Sequence, residues 1–579
     1  MVTLVADIET DGLLNDFTRI WCMAIGELEG EPVAYADQPG YSPLSEGLAR
    51  LKAADKVVFH NGLGFDIHVI NDLYPGTLLP EQIVDTLVIS RLLKPARTGG
   101  HSLEMWGQTL GFAKGKWDDW SKFDPDMVVY NLQDIRVTQR LYAFLMKHCE
   151  GWGASVLLEH EVAWVIGLQV KHGFKLNIEK CHEVVAELRQ EKNDLLVVLQ
   201  EIFPPIIHKR VSAKTGKDLK DGIEVFNPGS RQQIVSRLGA KYGWKPIKYT
   251  EKGTPQVDEE VLVTLKYPEA KKLSRWFEVD KQLGQISDGK AGWLKLEVKG
   301  RVYGSVNSNG CITSRMSHYS PNLANVNKEP RMREVFEPDE GDILVGVDAS
   351  SLELCMLAHY LAWYDFGSYA RTVVLGCKED GTDPHTVTMN AAGMHSRNNA
   401  KTLIYAYLYG AGDLKLGQII IDDMDQAKVV HKVYEEGGIR AIGKSARKAL
   451  LKGIVGLDKL NDSVKDKHIT QGWVRGLDGR KIETRSEHSA LNTLLQGAGA
   501  IVMKKALSIF HNVLLPGLNL SVKYCANVHD EVQMSVHPDN AELVGKTFIK
   551  AIVLAGEAFK MRCPLNGKAK IGTSWRATH

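Results

Sequence analysis

The chain has 579 residues, of which 44% are hydrophobic and 24% charged, and its 71 basic and 70 acidic side chains nearly cancel. This length exceeds one ordinary core and predicts two to four domains. The apolar runs fall far short of about 18 residues, so no membrane span is predicted, and the acidic N-terminus is unlike a signal peptide. The eight cysteines form no C-x-x-C pair, which favours reduced thiols over a disulfide framework or zinc site.

Charge is unevenly distributed along the chain. Residues 1–150 carry a net charge of −8, whereas residues 205–275 carry +7. A locally basic segment in a near-neutral chain indicates either a solvated surface or a polyanionic partner, and charge alone does not decide between them.

The first 150 residues alternate between strand-like and helix-like patterns, which predicts an α/β domain. The segments VTLVADIE and KVVFHN are typical of buried strands, and a helix is predicted after Met127. The sequence GWG at 151–153 predicts a joint to the next domain.

Residues 151–300 are predicted to be mainly helical. Apolar residues recur at helical spacing from Leu157 to Leu199, and a second helical block is predicted at 258–288. Between them, a segment rich in Lys, Gly and Pro predicts a loop at about 203–230.

Beyond residue 300, acidic residues stand at the ends of predicted strands. GDILVGVDAS predicts a strand ending at Asp348, and SLELCMLAHYLAW predicts the helix after it. VKYCANVHDEVQMSV predicts two strands joined by a tight turn that contains Asp530. Residues 396–409 predict a helix with Gly410 as its stop signal. Acids exposed at strand ends are often functional.

Two acids share one face of the first predicted strand. Asp7 and Glu9 lie two residues apart, so their side chains point the same way. Burying both carboxylates is costly unless cations compensate, and Mg²⁺ prefers oxygen ligands. With Asp66 and Asp134 they are candidates to hold two ions about 3.5–4 Å apart that activate a water for phosphodiester cleavage. Tyr130, one turn before Asp134, is placed to orient that water; surface or capping roles are the alternative.

A second pair of acids, Asp348 and Asp530, is far apart in sequence but similar in setting. Each carboxylate is predicted at the end of an apolar strand. If those strands are neighbours in one sheet, the two carboxylates converge on a metal pair, as two-metal phosphoryl transfer requires.

The predicted helix at 396–409 carries Arg397, Lys401, Tyr405 and Tyr409 at every fourth position. Steps of four drift only about 40° on a helix of about 3.6 residues per turn, so the four side chains share a broad face. The cations suit a triphosphate, the rings suit a base or sugar, and Lys401 is placed to protonate a departing pyrophosphate. The alternative is a polar face whose repeat is accidental.

Several motifs resemble known families. D-x-E-T, N-x-x-F-D and Y-x-x-x-D, in that order and with HSLEMWGQTLG at 101–111, resemble the proofreading 3′–5′ exonuclease domains that use four acids and a tyrosine. VGVDASSLELCMLAH, R-x-x-x-K-x-x-x-Y-x-x-x-Y-G and VHDE resemble motifs A, B and C of family A DNA polymerases. Blocks at 226–234, 248–262, 307–326 and 476–500 match the same family, closest to the replicative polymerases of short-tailed (podovirus) bacteriophages.

The resemblance implies a multidomain α/β and α+β fold. A ribonuclease-H-like 3′–5′ exonuclease domain is expected at 1–150, followed by thumb and linker helices at 151–300. The palm and fingers of a right-hand polymerase domain are expected at 301–579, with the fingers at roughly 385–475.

The resemblance also implies roles for individual residues. Asp348 and Asp530 match the metal ligands of the polymerase centre, completed by the Ala349 carbonyl. Glu353 matches the residue that crowds the 2′ position of the nucleotide and so excludes ribonucleotides. The remaining matched positions contact the triphosphate (His385, Arg397, Lys401), the sugar and base (Tyr405), Glu353 and the template base (Tyr409), or the primer end and minor groove (Arg315, Gln496, His529).

The function implied is template-directed DNA synthesis. The enzyme is expected to extend a primer 3′ end with dNTPs by two-metal phosphoryl transfer, to proofread with its 3′–5′ exonuclease, and to replicate phage DNA in the cytoplasm of an infected bacterial host. Two Mg²⁺ ions, which Mn²⁺ can replace, are expected in each active site, held in the exonuclease by its four acids.

The expected partners are primer–template DNA, dNTPs, a phage helicase-primase and a single-strand binding protein, with no membrane. Some phage relatives carry a long thumb insertion that recruits host thioredoxin. Here the stretch between Phe203 and Phe226 is short, so thioredoxin dependence is not expected. Its basic segment HKRVSAKTGKDLKDG is expected to contact duplex phosphates directly, which steepens the salt dependence of binding.

Three other functions were weighed. A single-subunit RNA polymerase also uses paired aspartates and an Arg/Lys/Tyr helix, but Glu353 and the exonuclease motifs argue against it. A non-catalytic DNA-binding scaffold would be expected to lack Asp348, Asp530 or Lys401, and all three are present. A nuclease without synthesis would follow if the short thumb segment failed to hold DNA.

Overall fold

The structure, a computed structural model, describes residues 2–211, 214–246, 249–250, 253–424, 433 and 437–579. Parts of three predicted segments therefore lie outside the described residues: 212–213 of the loop, 248 and 251–252 of the block at 248–262, and 425–432 and 434–436 of the fingers.

The strands, numbered in chain order, are β1 Thr3–Thr10, β2 Ile20–Glu27, β3 Val33–Tyr35, β4 Lys56–Phe59, β5 Ile83–Asp85, β6 Phe174–Leu176, β7 Ile206–Val211, β8 Asp218–Glu224, β9 Arg301–Val302, β10 Ser305–Asn307, β11 Ser317–Tyr319, β12 Phe336–Glu337, β13 Ile343–Ala349, β14 Trp473–Arg475, β15 Lys481–Glu483, β16 Lys523–Val528, β17 Glu531–Val536 and β18 Gly567–Gly572.

The N-terminal sheet has the order β3-β2-β1-β4-β5, with β1 antiparallel to β2 and parallel to β4. Apolar side chains from β1 enter buried clusters on both faces of the sheet, which explains its nearly continuous apolar sequence. The helix Pro125–His148 packs across β1 and β2, and the α/β character predicted for this region is confirmed. The other helices here are Leu44–Ala53, Asp66–Leu73, Thr86–Leu93 and Leu103–Thr109.

The helical run predicted from Leu157 to Leu199 is two helices, Gly153–His172 and Ile178–Ile202, separated by β6. The break falls at Gly173, whose φ of +69° is a conformation that favours glycine. A Cβ there would also lie 3.0 Å from the Val302 carbonyl oxygen of the neighbouring strand β9. Close backbone packing therefore ends the helix at this point.

The loop predicted at 203–230 is wrong over much of its length, because β7 and β8 form an antiparallel hairpin. The hairpin contains a cross-strand apolar pair, Ile207 opposite Ile223, which the basic composition of the segment does not indicate. Such pairs contribute roughly 0.2–1 kcal/mol to a hairpin. The block predicted at 258–288 is helical as expected, with a break before Pro268. The helices in and around it are Arg231–Tyr242, Glu259–Val263, Pro268–Leu283 and Trp293–Leu296.

The C-terminal sheet is antiparallel throughout, with the order β16-β17-β13-β18. The helix Ala541–Ala558 packs on β13 and β18, and the helix Gly153–His172 packs against β16. Both the strand predicted to end at Asp348 and the helix predicted after it are confirmed. The other helices beyond residue 300 are Pro330–Glu334, Leu352–Asp365, Ser368–Leu375, Pro384–Ala392, Arg397–Leu408, Asp413–Asp422, Ile439–Gly453, Leu457–Gln471 and Glu487–Ile509.

Among the described residues, one helical stretch, Glu487–Leu518, is long and apolar enough to cross a membrane. However, 67% of its apolar window is buried inside the protein. It packs against the helices Gly153–His172, Leu352–Asp365 and Ala541–Ala558. Its apolar composition is therefore explained by its position at the centre of the C-terminal core.

A buried ionic cluster joins the helix Gly153–His172 to the C-terminal core. Glu159, which is fully buried, accepts hydrogen bonds from Arg480 Nη1 at 2.5 Å and Lys504 Nζ at 2.6 Å. Arg480 also pairs with Asp478 at 2.6 Å. Burial lowers the pKa of Lys504 to about 8, although the charge of Glu159 opposes that shift. One carboxylate thus compensates cations from two separate segments.

Replacing Glu159 with Gln is expected to cost about 3–5 kcal/mol of unfolding free energy, because it leaves a buried cation uncompensated. Urea unfolding followed by circular dichroism measures the loss. The matched control is Glu542→Gln, which removes an exposed pair with Lys546 and is expected to leave the unfolding free energy nearly unchanged, because solvent screens such a pair. Equal losses in the two variants would contradict this assignment.

Candidate active sites

The four acids predicted in the N-terminal region come together at one place. Oxygen atoms of Asp7, Glu9 and Asp134 lie within 4.8 Å of one another. Asp7 and Glu9 project from the same face of β1, and Asp134 reaches them from the helix Pro125–His148 packed on that face. Asp66, buried at the start of the helix Asp66–Leu73, is close enough for its charge to raise the pKa of Asp7.

Burial and mutual repulsion make these carboxyl groups reluctant to ionise. Burial raises the pKa of Glu9 to about 7, of Asp66 to about 8 and of Asp134 to about 6. Burial and the charges of its neighbours hold the pKa of Asp7 well above its usual range. Among the described residues, Asp134 Oδ1 is buried with no hydrogen-bond partner. Four crowded carboxylates with an unpaired oxygen are a donor set that fits a hard divalent cation.

Three residues that the sequence analysis did not select complete this centre. Asn131 Nδ2 donates to Asp7 Oδ2 at 2.7 Å, and Trp120 Nε1 donates to Glu9 Oε2 at 3.1 Å. Lys114 Nζ lies 2.6 Å from Asp134 Oδ2. Asn131 could have been found, because it stands three residues before Asp134 on the same helical face. Trp120 and Lys114 lie in a segment without periodicity, which offers no such signal.

Tyr130 lies one turn before Asp134, as predicted, and its ring centroid is 4.7 Å from the Lys114 ammonium. Burial raises the pKa of Tyr130 to about 12, and the charge of Asp134 adds to the effect. The phenol therefore stays protonated at neutral pH and can donate a hydrogen bond at this centre.

The second centre lies at one end of the C-terminal sheet. Asp348 is opposite Glu531 in the β13–β17 ladder, and Asp530 precedes Glu531 in the turn from β16. The Ala349 N–H donates to the Asp530 carbonyl oxygen at 3.1 Å, which ties the turn to β13. The strand that follows Asp530, β17, therefore lies beside β13 and Asp348. The strand that leads to Asp530, β16, lies one position further away in the sheet. His529 takes the left-handed conformation, with φ of +59°, that makes the tight turn.

Both aspartates at this sheet end have raised pKa values. Burial and the nearby charges of Asp348 and Glu353 raise the pKa of Asp530 to about 6. Burial and the charge of Glu531 raise the pKa of Asp348. The field of these acids extends to Tyr405, whose pKa is raised to about 12 by burial and by the charges of Glu353, Asp530 and Asp348.

The Glu531 carboxylate has partners of its own. Its Oε1 accepts from Trp575 Nε1 and from Gln533 Nε2, each at 2.6 Å, and its Oε2 lies 2.6 Å from His579 Nδ1. These contacts lower its pKa although burial opposes that shift. Glu531 thus anchors the strand end through its hydrogen bonds.

Glu353, at the start of the helix Leu352–Asp365, connects two further predicted residues. Its Oε1 accepts a hydrogen bond from the Tyr409 hydroxyl at 2.8 Å and from Arg315 Nη2 at 3.2 Å. Burial and the Glu353 carboxylate hold the pKa of Tyr409 well above its usual range, so the phenol remains a donor. The carboxylate is thereby fixed between the helix Arg397–Leu408 and the segment containing Arg315.

The helix Arg397–Leu408 presents the predicted row of side chains on one face. The rings of Tyr405 and Tyr409 are stacked with centroids 6.2 Å apart, and His385 lies 6.1 Å from Tyr405. Lys401 is exposed on the same face. The opposite face is buried in the core through Ala400, Leu403, Ile404, Tyr407 and Leu408.

Arg397 has a partner that sequence analysis missed. Its guanidinium pairs with Asp383 through Nη2 at 2.7 Å and Nε at 3.1 Å. Asp383 also caps the helix Pro384–Ala392 by accepting from the His385 N–H. Although burial opposes it, the contact with Arg397 holds the pKa of Asp383 well below its usual range. An Asp before Pro is a recognisable helix-start signal, but nothing in the sequence links it to Arg397.

Two of the three residues predicted near a primer end line one cavity, and the third lies on a helix that also lines it. Arg315 and His529 line a small cavity of about 30 Å³, which Ala500 also lines. Gln496 is half-buried one turn before Ala500 on the helix Glu487–Ile509. Burial and the charge of Arg315 lower the pKa of His529.

These features define a class of protein. A sheet end with two aspartates, faced by a helix of cations and aromatic rings, is joined to a ribonuclease-H-like sheet that gathers four acids. That combination is typical of a right-hand nucleic-acid polymerase with an attached nuclease-type domain.

The chain belongs to DNA polymerase family A, whose model matches residues 208–577. The DNA-directed DNA polymerases of Escherichia phage T7 and Enterobacteria phage T3 are 30% and 31% identical to it, with 100% of both chains covered in each comparison. A solved structure of the POL domain of Pol1 from M. smegmatis, in complex with DNA primer-template and dNTP, is similar with a TM-score of 0.76 at 17% identity. That likeness covers 99% of this chain and 96% of the other. The predicted family, fold class and DNA-directed DNA polymerase activity are thus confirmed.

Replacing Glu9 with Gln is expected to stabilise the protein above neutral pH when divalent ions are chelated. The native pKa of Glu9 is about 7, raised from 4.5, so between these values the folded state binds a proton that the unfolded state has lost. Stability therefore falls as pH rises through this window, and the substitution removes that loss.

Thermal unfolding in EDTA tests this expectation. The melting temperature of Glu9→Gln should exceed that of the parent at pH 8, and the difference should vanish below pH 4.5. Glu104→Gln, an exposed glutamate of the same region, should follow the parent at every pH. A parent and Glu9→Gln variant with parallel pH profiles would be inconsistent with a raised pKa at this site.

Proposed function

We propose that this polymerase extends a primer 3′ end with dNTPs at the C-terminal sheet and removes misincorporated nucleotides at the N-terminal acid cluster. The observation that carries the first part is that Asp348 and Asp530 meet at one sheet end, with Tyr405 within reach of their charges. The row of side chains formed by Arg397, Lys401, Tyr405 and Tyr409 extends away from the two aspartates along the helix. The proposed domain limits are 1–150 for the exonuclease, 151–300 for the thumb and linker, and 301–579 for the palm and fingers, with the fingers at roughly 385–475.

In the palm, Asp348 and Asp530 are the proposed ligands of two Mg²⁺ ions, with the Ala349 carbonyl as a third. The raised pKa values of both carboxyl groups support this assignment, since a bound cation would compensate the burial and the repulsion that raise them. When bound, divalent ions lower the pKa of the attacking hydroxyl and stabilise the leaving pyrophosphate. Mn²⁺ satisfies the same oxygen ligands.

The helix Arg397–Leu408 is proposed to hold the incoming nucleotide. Lys401 and His385 bind the triphosphate, and Lys401 protonates the departing pyrophosphate. Arg397 joins them by exchanging its pair with Asp383 for phosphate oxygens, which a guanidinium can grip in the same bidentate way. Tyr405 lies under the sugar and base, and Tyr409 lies beside the template base.

Selection of the sugar is proposed to depend on Glu353. Its carboxylate is fixed by Tyr409 and Arg315, so it cannot swing aside to admit a 2′-hydroxyl. Arg315, Gln496 and His529 are proposed to contact the primer end and the minor groove, where A·T and T·A pairs present nearly equivalent acceptors. Contacts there test the shape of a pair without reading its sequence.

At the N-terminal centre, Asp7, Glu9, Asp66 and Asp134 are the proposed ligands of two further Mg²⁺ ions. Tyr130, which remains a protonated phenol, is proposed to orient the attacking water. Asn131 holds Asp7 in place for this reaction. The product is a shortened 3′ end that can return to the palm.

The proposed partners are primer–template DNA, dNTPs, and a phage helicase-primase and single-strand binding protein in the cytoplasm of an infected bacterial host. The hairpin β7–β8 lies between Phe203 and Phe226, where the family resemblance implies that some phage relatives carry a thioredoxin-binding insertion. Independence from thioredoxin therefore remains a prediction that rests on the short distance between Phe203 and Phe226. The basic residues of this hairpin are proposed to contact duplex phosphates.

Substitutions in the two acid clusters should separate the two activities. Asp348→Ala or Asp530→Ala is expected to abolish primer extension and leave degradation intact, because each removes a metal ligand from one centre only. Asp7→Ala with Glu9→Ala is expected to do the reverse. Extension of a labelled primer with Mg²⁺, with and without dNTPs, reads both activities in one assay. Proofreading that survives in the Asp7/Glu9 double variant would show that the wrong acids were chosen.

Replacing Glu353 with Ala is expected to weaken discrimination between dNTPs and rNTPs, because the 2′ position is no longer crowded. The measurement is the ratio of kcat/KM for the two nucleotides in single-nucleotide incorporation. Tyr409→Phe, which keeps the carboxylate but removes one of its hydrogen bonds, is expected to have a smaller effect. Full activity with an unchanged ratio in Glu353→Ala would reject the proposed role.

A further inference from the structure

Lys114 is a cation placed inside the N-terminal acid cluster. It lies in the segment 110–124, which connects the helices Leu103–Thr109 and Pro125–His148 without regular secondary structure. Its Nζ atom is 2.6 Å from Asp134 Oδ2, and the two side chains are 22% and 4% exposed. Its ammonium also lies over the Tyr130 ring. The ammonium and the Asp134 carboxylate thus form an ion pair that is largely shielded from solvent.

The position of this ammonium conflicts with that of a divalent ion. Asp134 is one of the three acids whose oxygens lie within 4.8 Å of one another. Lys114 is paired with one of the two carboxylate oxygens of Asp134. Its charge also interacts with those of Asp7 and Glu9. A divalent ion at this centre therefore meets a repulsive positive charge and a carboxylate that is already paired.

We propose that Lys114 is a resident cation of this centre, which neutralises Asp134 until a divalent ion takes that carboxylate and displaces the ammonium. The inference rests on the exonuclease role proposed above. It makes Lys114 a positioning residue, which acts on the reaction through Asp134 and through the affinity of the centre for metal.

The surroundings of Lys114 leave room for the displaced side chain. Lys114 lines two cavities, one of about 560 Å³ and one of about 1020 Å³. The first lies between the N-terminal region and the β10 segment and includes Arg91; the second includes Lys116 and Arg136. The ammonium can therefore leave Asp134 for open polar space without crossing the core.

A second contact ties the same segment to the centre. Trp120 donates its indole N–H to Glu9 Oε2 at 3.1 Å, so one irregular segment contacts both Glu9 and Asp134. The palm differs in this respect: among the described residues, no lysine or arginine nitrogen lies within ion-pair distance of Asp348 or Asp530. Degradation is therefore expected to require more Mg²⁺ than synthesis does.

Mn²⁺ binding to the full-length protein tests the inference by electron paramagnetic resonance. The palm ligands are first neutralised by Asp348→Asn and Asp530→Asn, so that the signal reports the N-terminal centre. Adding Lys114→Met, which keeps the aliphatic stem but removes the charge, is expected to tighten Mn²⁺ binding by on the order of tenfold. Lys116→Met, an exposed lysine of the same segment, is the matched control and should bind Mn²⁺ as its parent does. If Lys114→Met folds poorly, as judged by its melting temperature, Lys114→Gln replaces it.

Activity provides a second readout with the palm ligands intact. In Lys114→Met, the Mg²⁺ concentration for half-maximal degradation of single-stranded DNA should fall, while that for primer extension should not change. Unchanged or weaker Mn²⁺ binding in both Lys114 variants overturns the inference even if degradation is normal. Tighter binding in a protein that degrades no DNA would uphold the role of Lys114 and reject the proposed exonuclease instead.

Discussion

Mutual repulsion among closely spaced carboxylates is the constraint on which both candidate centres depend. Each centre lies where a strand ends or passes beneath a helix, so that rigid backbone holds the acids together against that repulsion. Burial and this repulsion together raise the pKa values of Glu9, Asp66 and Asp530. The two centres oppose the repulsion differently: in the N-terminal one an ammonium contacts Asp134, whereas in the C-terminal one the charges of Lys570 and Arg315 act on Asp348 and Asp530.

The two regions that carry these centres are joined through charged side chains as well as apolar packing. The helix Gly153–His172 contacts the N-terminal helix Thr86–Leu93 on one side and the helix Glu487–Ile509 on the other. Its residue Glu159 compensates Arg480 and Lys504 in a fully buried site. Desolvation offsets much of the attraction in an ion pair of this kind, although removing one partner leaves a buried charge uncompensated. The same helix thus sets how the two regions sit relative to each other.

The residue pattern within a short segment predicted its helix or strand correctly wherever that pattern alone determined the structure. The apolar runs of β1, β4 and β13, the helix stop at Gly410 and the row from Arg397 to Tyr409 were all readable, because period and composition are properties of a short segment. The same approach failed at β7–β8, where lysines on an exposed hairpin resembled a loop. It also missed Gly173, where a close approach by β9, distant in sequence, ends a helix.

The order of the motifs, the family they resemble and the residue types available for chemistry can all be read from the amino-acid sequence. The fold is needed to see which strand lies beside Asp348, that Asp383 holds Arg397, and that Lys114 and Trp120 reach into the acid cluster. The physical reason is that such contacts depend on long-range packing of irregular segments, whose partners follow no period along the chain. Motif spacing therefore identifies the acids of a centre, but it does not identify the cation that lies beside them.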